Sequence, residues 1–86
     1  MNEVKEMTLV GFYNFSSKDK TKKYFVFQVL SNDIDISNNT VKSNIINIFV
    51  NEDIYKNVSQ NDIGKSLNVN IHADLSSGKI YYTLVD

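Results

Sequence analysis

Lys18, Asp19, Lys20, Thr21, Lys22 and Lys23 follow one another and lead straight into Tyr24. Four lysines against one aspartate give this stretch a charge of +3 in a chain whose total is −1, so the remaining residues carry −4. Ammonium groups beside a flat ring are what a single-stranded nucleic acid requires. Point charges displace counterions from the phosphates, and aromatic faces accept stacked bases at about 1 to 3 kcal/mol each. A solvated loop kept soluble by lysine has the same composition, so the elements that carry these residues must decide between the two.

Other chemistry is poorly represented. The chain has no cysteine and a single histidine, His72, which excludes thiolate metal sites and leaves no ligand cluster. His72 alternates with Asn68 and Asn70 and reads as an ordinary solvent-facing strand residue. Gly11, Gly64 and Gly78 lie too far apart to form a phosphate-cradling loop. Glu52 and Asp53 adjoin at a predicted helix start, where dipole compensation accounts for them. Asp33, Ile34 and Asp35 lack the glycine and later glutamate of a calcium loop. No catalytic residue, metal or cofactor is expected, and the chain reads as a non-enzyme.

Positioning falls to a short chain of 86 residues, 42% hydrophobic and 22% charged. A domain of this size buries only about 60 to 65% of its unfolded surface, which makes it marginal unless well packed or oligomeric. Residues 1–86 are expected to form one domain. The longest apolar runs, residues 24–29 and 45–50, are far short of a membrane span. The charged opening residues lack the apolar core of a secretory signal, so a cytoplasmic setting is expected.

Runs rich in β-branched and aromatic residues stand at about residues 5–15, 23–30, 44–50, 66–73 and 79–85, separated by Ser, Asn, Asp and Lys. In the fourth run Leu67, Val69, Ile71 and Ala73 alternate with Asn68, Asn70 and His72, the pattern of a half-buried strand. The second run is apolar on both sides. Residues 51–60 predict a helix, with Asn51 as N-cap, Glu52 and Asp53 in the first turn, and Ile54 and Val58 facing the sheet. Gly64 can end that excursion with a positive φ. Polar links at residues 16–22 and 76–79 predict two hairpins. Residues 32–43 hold only Ile34 and Ile36 as strand signals, and predict either a mobile wing or an extended β-ribbon.

The order β-β-β-α-β-β predicts an all-β fold, a small β-barrel with one short helix of the OB type. An SH3-like barrel and an open α+β sheet are the alternatives. Gly11 fits the sharp bend by which the first strand of such a barrel joins both halves, and equally a bulge in any curved sheet.

If Phe25, Phe27 and Val29 point inward, then Tyr24, Val26 and Gln28 point outward. On the third strand Ile46, Ile48 and Val50 then face inward, and Ile45, Asn47 and Phe49 outward. A one-residue slip would exchange the sets. Tyr24 and Phe49 become the stacking candidates, with core packing the alternative for Phe49. Tyr13, Tyr81 and Tyr82 fit a barrel wall whose hydroxyls reach water. Lys79, near one end of the fourth strand, can border the same cleft as the first hairpin, whereas Lys65 reads as a turn lysine. The candidate nucleic-acid-binding residues are therefore Lys18, Lys20, Lys22, Lys23, Tyr24, Phe49 and Lys79.

The element order, the length, the lysine-rich hairpin running into Tyr24, Phe25, Val26, Phe27 and Gln28, and the closing Ile80, Tyr81 and Tyr82 resemble a known group. It is the small single-stranded DNA-binding proteins of phages and plasmids, the filamentous-phage helix-destabilising protein among them. The resemblance implies an OB-type barrel, often a dimer, that coats single strands by aromatic stacking and basic contacts during replication or transfer of phage, plasmid or other mobile-element DNA. RNA presents the same phosphates and stacking faces. That family uses arginine, of which this chain has none. The net negative charge supports a different class, a small phage or mobile-element interaction module or inhibitor. Such a module would hold a host protein through a strand edge or through Glu3, Glu6, Asp33, Asp35, Glu52, Asp53, Asp62 and Asp86. A structural subunit of a larger assembly is a third reading, and a homodimer is compatible with all three.

Overall fold

In the computed structural model, which describes residues 2–85, the first strand is the organising element. β1 (Asn2–Ser16) pairs antiparallel with two different partners. Residues Asn2 to Thr8 face His72 to Ser66 of β4 (Ser66–Asp74), and Thr8 to Ser16 face Leu30 to Lys23 of β2 (Lys23–Asp35). The register shifts between Leu9 and Gly11, which makes Val10 the extra residue of a β-bulge. Gly11 lies at this bend as expected, and there is a steric reason for it. A Cβ at Gly11 would collide with Oε1 of Gln28, directly across the ladder.

β3 (Thr40–Val50) continues the sheet on the far side of β2, and β5 (Lys79–Leu84) continues it beyond β4. The order is β3-β2-β1-β4-β5, all antiparallel. The sheet curls until β3 and β5 approach one another, with no ladder joining them among the described residues. This is the partly open, OB-like all-β architecture that the element order predicts. Met7, Leu9, Phe27, Val29, Ile48 and Val69 form the buried core, and Ile46, Val50, Leu67 and Ile71 pack against it. The inward and outward sets expected for β2 and β3 are those observed.

One element departs from expectation, and one open alternative is decided. The helix is a single turn, α1 (Glu52–Tyr55), followed by a 3-10 turn at Gln60–Asp62, where the pattern predicted ten residues of helix. Asn51 does cap it, its side chain accepting from the Ile54 N–H at 2.9 Å. Asn57 helps to end it, because its Nδ2 donates to the Asp53 carbonyl at 2.9 Å in competition with the backbone. Ile54 and Val58 still reach the core. The exit is sewn to β1, with the Gly64 N–H donating to the Leu9 carbonyl at 2.8 Å and the Leu9 N–H to the Lys65 carbonyl at 2.9 Å. Gly64 has φ +94°, the positive value anticipated there.

The alternative left open concerns β2 and β3, which run on well past the barrel. Their ladder continues through Asn32↔Ser43, Ile34↔Val41 and Asp35↔Thr40, so residues 32–43 form the extended ribbon and not a wing without structure. Asp35 closes its tip by accepting from Ser37 Oγ and from the backbone and side chain of Asn38, while Asn39 takes a φ of 52°. Every residue from Asn32 to Ile45 is exposed.

Candidate nucleic-acid interface

Cross-strand pairing assembles one aromatic surface on the outside of β1, β2 and β3. Phe15 faces Tyr24, Tyr13 faces Val26, and Val26 in turn faces Phe49. Phe15 is the hub: its ring centroid is 5.2 Å from Tyr24, 6.1 Å from Tyr13 and 6.4 Å from Phe49. Tyr24 and Phe49 close the group at 6.1 Å. The four rings remain 36% to 64% exposed, whereas Val26 at their centre is 0% exposed although it lies outside the core cluster. This is an apolar platform with its faces open to water.

The lysine segment is a structured turn beside this platform. Ser17 N–H donates to the Lys22 carbonyl, and Lys20 N–H donates to the Ser17 carbonyl, both at 2.9 Å. Lys20 takes a positive φ of 60°. Asp19 is the organiser, its Oδ1 accepting from Ser17 Oγ at 2.6 Å, Thr21 Oγ1 at 2.7 Å and the Thr21 N–H at 3.1 Å. The Ser17 and Thr21 hydroxyls and the Thr21 amide hold its carboxyl down at about 2. The single acid therefore shapes the loop, and Lys18, Lys20 and Lys22 are left exposed around it.

Comparison with protein-family models, curated proteins and solved structures finds no significant match. The functional reading therefore rests on the geometry of this chain alone.

Of the residues expected from the sequence, Lys18, Lys20, Lys22, Tyr24 and Phe49 fall on the turn and the platform. Lys23 does not join them. It shares strand parity with Phe25, and its ammonium lies 5.8 Å from the Phe25 ring centroid. Phe25 in turn contacts Tyr55 of α1 at 4.9 Å, and Tyr55 accepts a hydrogen bond from Asn14 at 3.1 Å. Lys79 stands elsewhere too: it pairs with Asp74 at the end of β4 that lies beyond Asn2, the opposite end of β1 from the lysine turn. Lys65 is held by Asp62 at 3.0 Å. His72 is half-buried rather than open to solvent, with Nε2 3.3 Å from Thr83 Oγ1.

Phe15 is the residue that sequence reasoning passed over, and Tyr13 the one it ranked low. The signal was present in the first hairpin. A link of residues 17–22 sets Ser16 against Lys23, and that register puts Phe15 against Tyr24. A separate apolar hollow of about 220 Å³ lies under α1 among Leu9, Phe27, Ile54, Val58 and Leu67. Its charged lining residues, Asp62 and Lys65, are paired with each other.

Proposed function

We propose that this chain is a non-enzymatic binder of single-stranded DNA, acting in the cytoplasm in the replication or transfer of phage, plasmid or other mobile-element DNA. The observation that carries the proposal is the exposed cluster of Tyr13, Phe15, Tyr24 and Phe49 set next to an ordered turn bearing Lys18, Lys20 and Lys22. Bases stack on the rings while the ammonium groups neutralise phosphates. No arginine takes part, so phosphates are held as point charges without bidentate forks.

The test is a titration of labelled oligo(dT), at low and physiological salt, following anisotropy and tyrosine emission together. A DNA duplex and oligo(U) of equal length serve as controls. Salt-sensitive binding of the single strand with quenched tyrosine emission is expected. No binding at low salt would reject the proposal.

A second reading has its own support. The ribbon exposes Ile34, Ile36 and Val41, and the chain outside the lysine turn carries a charge of −4. An interaction module or inhibitor that captures a host protein would use these features, and its capture would survive Lys20→Glu with Lys22→Glu. A homodimer is compatible with either reading.

A further inference from the structure

The outer face of β2 and β3 carries, one rung from Phe49, a pair of side-chain amides. Gln28 and Asn47 oppose each other across the ladder, and Gln28 Nε2 donates to Asn47 Oδ1 at 3.3 Å. Gln28 is half-buried and Asn47 exposed. The other end of the Gln28 amide is confined by β1. Its Oε1 occupies the place that a Cβ on residue 11 would take, so the missing side chain of Gly11 makes room for it. With the hydrogen bond in this sense, the Asn47 amide is held to Gln28 through its oxygen. Oδ1 stays on the Gln28 side with one lone pair spare, and Nδ2 presents its hydrogens beside it.

An acceptor and a donor in a fixed order are one half of a bidentate contact with a base edge. Phe49 and Asn47 stand two residues apart on β3, on the same face of the strand. A base lying on the Phe49 ring therefore has its edge beside the Asn47 amide. We infer that Asn47, locked by Gln28, reads the edge of the base stacked on Phe49, so that the platform discriminates between bases. This rests on the outer face being a nucleic-acid site. The two pyrimidines isolate the effect. Cytosine offers a donor followed by two acceptors along its pairing edge, thymine an acceptor, a donor and an acceptor, on rings of similar size and stacking area. An amide free to turn over satisfies both, whereas an amide held one way round finds its order on thymine on one side or the other of the central donor, but on cytosine only between the donor and its neighbouring acceptor and in one orientation of the base, so it favours thymine.

The experiment compares oligo(dC) and oligo(dT) of equal length on the wild-type chain, Asn47→Ala and Gln28→Met, by anisotropy at one salt concentration and then across salt. The wild type is expected to separate the two oligomers by about fivefold or more, the lower end of what one bidentate contact supplies. Asn47→Ala should bring them within about twofold with the salt slope unchanged. Gln28→Met keeps the length of the side chain but frees Asn47 to turn over, and should narrow the ratio while Asn47 is still present. A merely structural role for either residue would lower both affinities and leave their ratio alone. A preference that survives Asn47→Ala, or binding with no preference in the wild type, overturns the inference and leaves the single-strand reading standing. Failure to bind either oligomer at low salt removes both.

Discussion

β2 carries apolar side chains on both of its faces, and the barrel treats the two faces differently. On the inner face Phe27 and Val29 are enclosed with Ile48 and Leu9, and nothing of them is left for another molecule. On the outer face Val26 is just as inaccessible, but the side chains around it are not. Tyr24 remains 36% and Phe49 64% exposed. Sheltering one valine requires a small part of the area that four rings provide. The outer face therefore has its own miniature core, roofed by aromatic groups whose remaining surface stays open. Burial of a residue and membership of the folding core are separate properties here.

The sharpest way to break this comparison is to truncate one ring from each face. Phe27→Ala is expected to cost about 3 to 5 kcal/mol, enough to unfold much of a small marginal domain. Phe15→Ala should cost about 1 kcal/mol, the worth of its ring contacts. Urea unfolding of both variants checks this, and equal losses would abolish the distinction. For binding the order reverses. Tyr24→Ala should weaken oligo(dT) binding by about 1 to 3 kcal/mol through the absence of stacking, with the salt slope little changed.

Val26→Ala probes the boundary between the two faces. Removing two buried methyl equivalents is expected to cost about 1.6 kcal/mol. Because the rings above it lose their floor, oligo(dT) affinity should fall as well, which an inner-face valine of similar cost would not cause. Lys20→Glu with Lys22→Glu leaves both faces intact. The double variant should keep its urea midpoint while the slope of log affinity against log salt flattens by about 1.4, which is about 0.7 for each phosphate that is no longer neutralised.

The smallest effect belongs to the turn beside the platform. The Asp19 carboxyl titrates near 2 in the folded chain against an ordinary value of 3.8. Its depressed value means that the contribution of its hydrogen bonds is complete above about pH 4 and is lost as pH falls through 2. The Thr21 amide resonance should shift over that interval in the wild type and stay flat in Asp19→Asn. A flat wild-type profile would show that Asp19 does not organise the lysines.

Much of this arrangement was legible because the strands that build it alternate cleanly. Phe25, Phe27 and Val29 against Tyr24, Val26 and Gln28 fix the faces of β2 with period two, and Ile46, Ile48 and Val50 do the same for β3. The same alternation assigns Lys23 to the Phe25 side, but its nearness in sequence to Tyr24 masked the point. Phe15 was hidden for another reason. Its importance is a property of the pair Phe15↔Tyr24 and so of hairpin register, which no single run of residues displays. The ribbon stood only as one of two alternatives because Asn32, Asp33 and Asp35 interrupt the apolar pattern, whereas the ladder that makes it needs only backbone groups. The helix was over-extended because Ile54 and Val58 have helical spacing, and both do pack inward, Ile54 from the helix and Val58 from a chain that has already left it.

β1 changes partner at Thr8, just before the bulge, and its two stretches differ in how far along the chain their partners lie. Beyond Thr8, Ser16 meets Lys23, seven residues later, while before it Asn2 meets His72, seventy residues later. Closing so long a loop is the slow event in folding such a topology, and hairpins form in microseconds. The platform and its lysine turn lie wholly within residues 13–49, on the side of neighbouring hairpins. Their assembly is expected to precede barrel closure, so that during refolding the Thr21 and Phe49 amides gain protection from hydrogen exchange before those of Val4 and Val69. The surface proposed to meet single strands would then be the oldest part of each newly folded molecule.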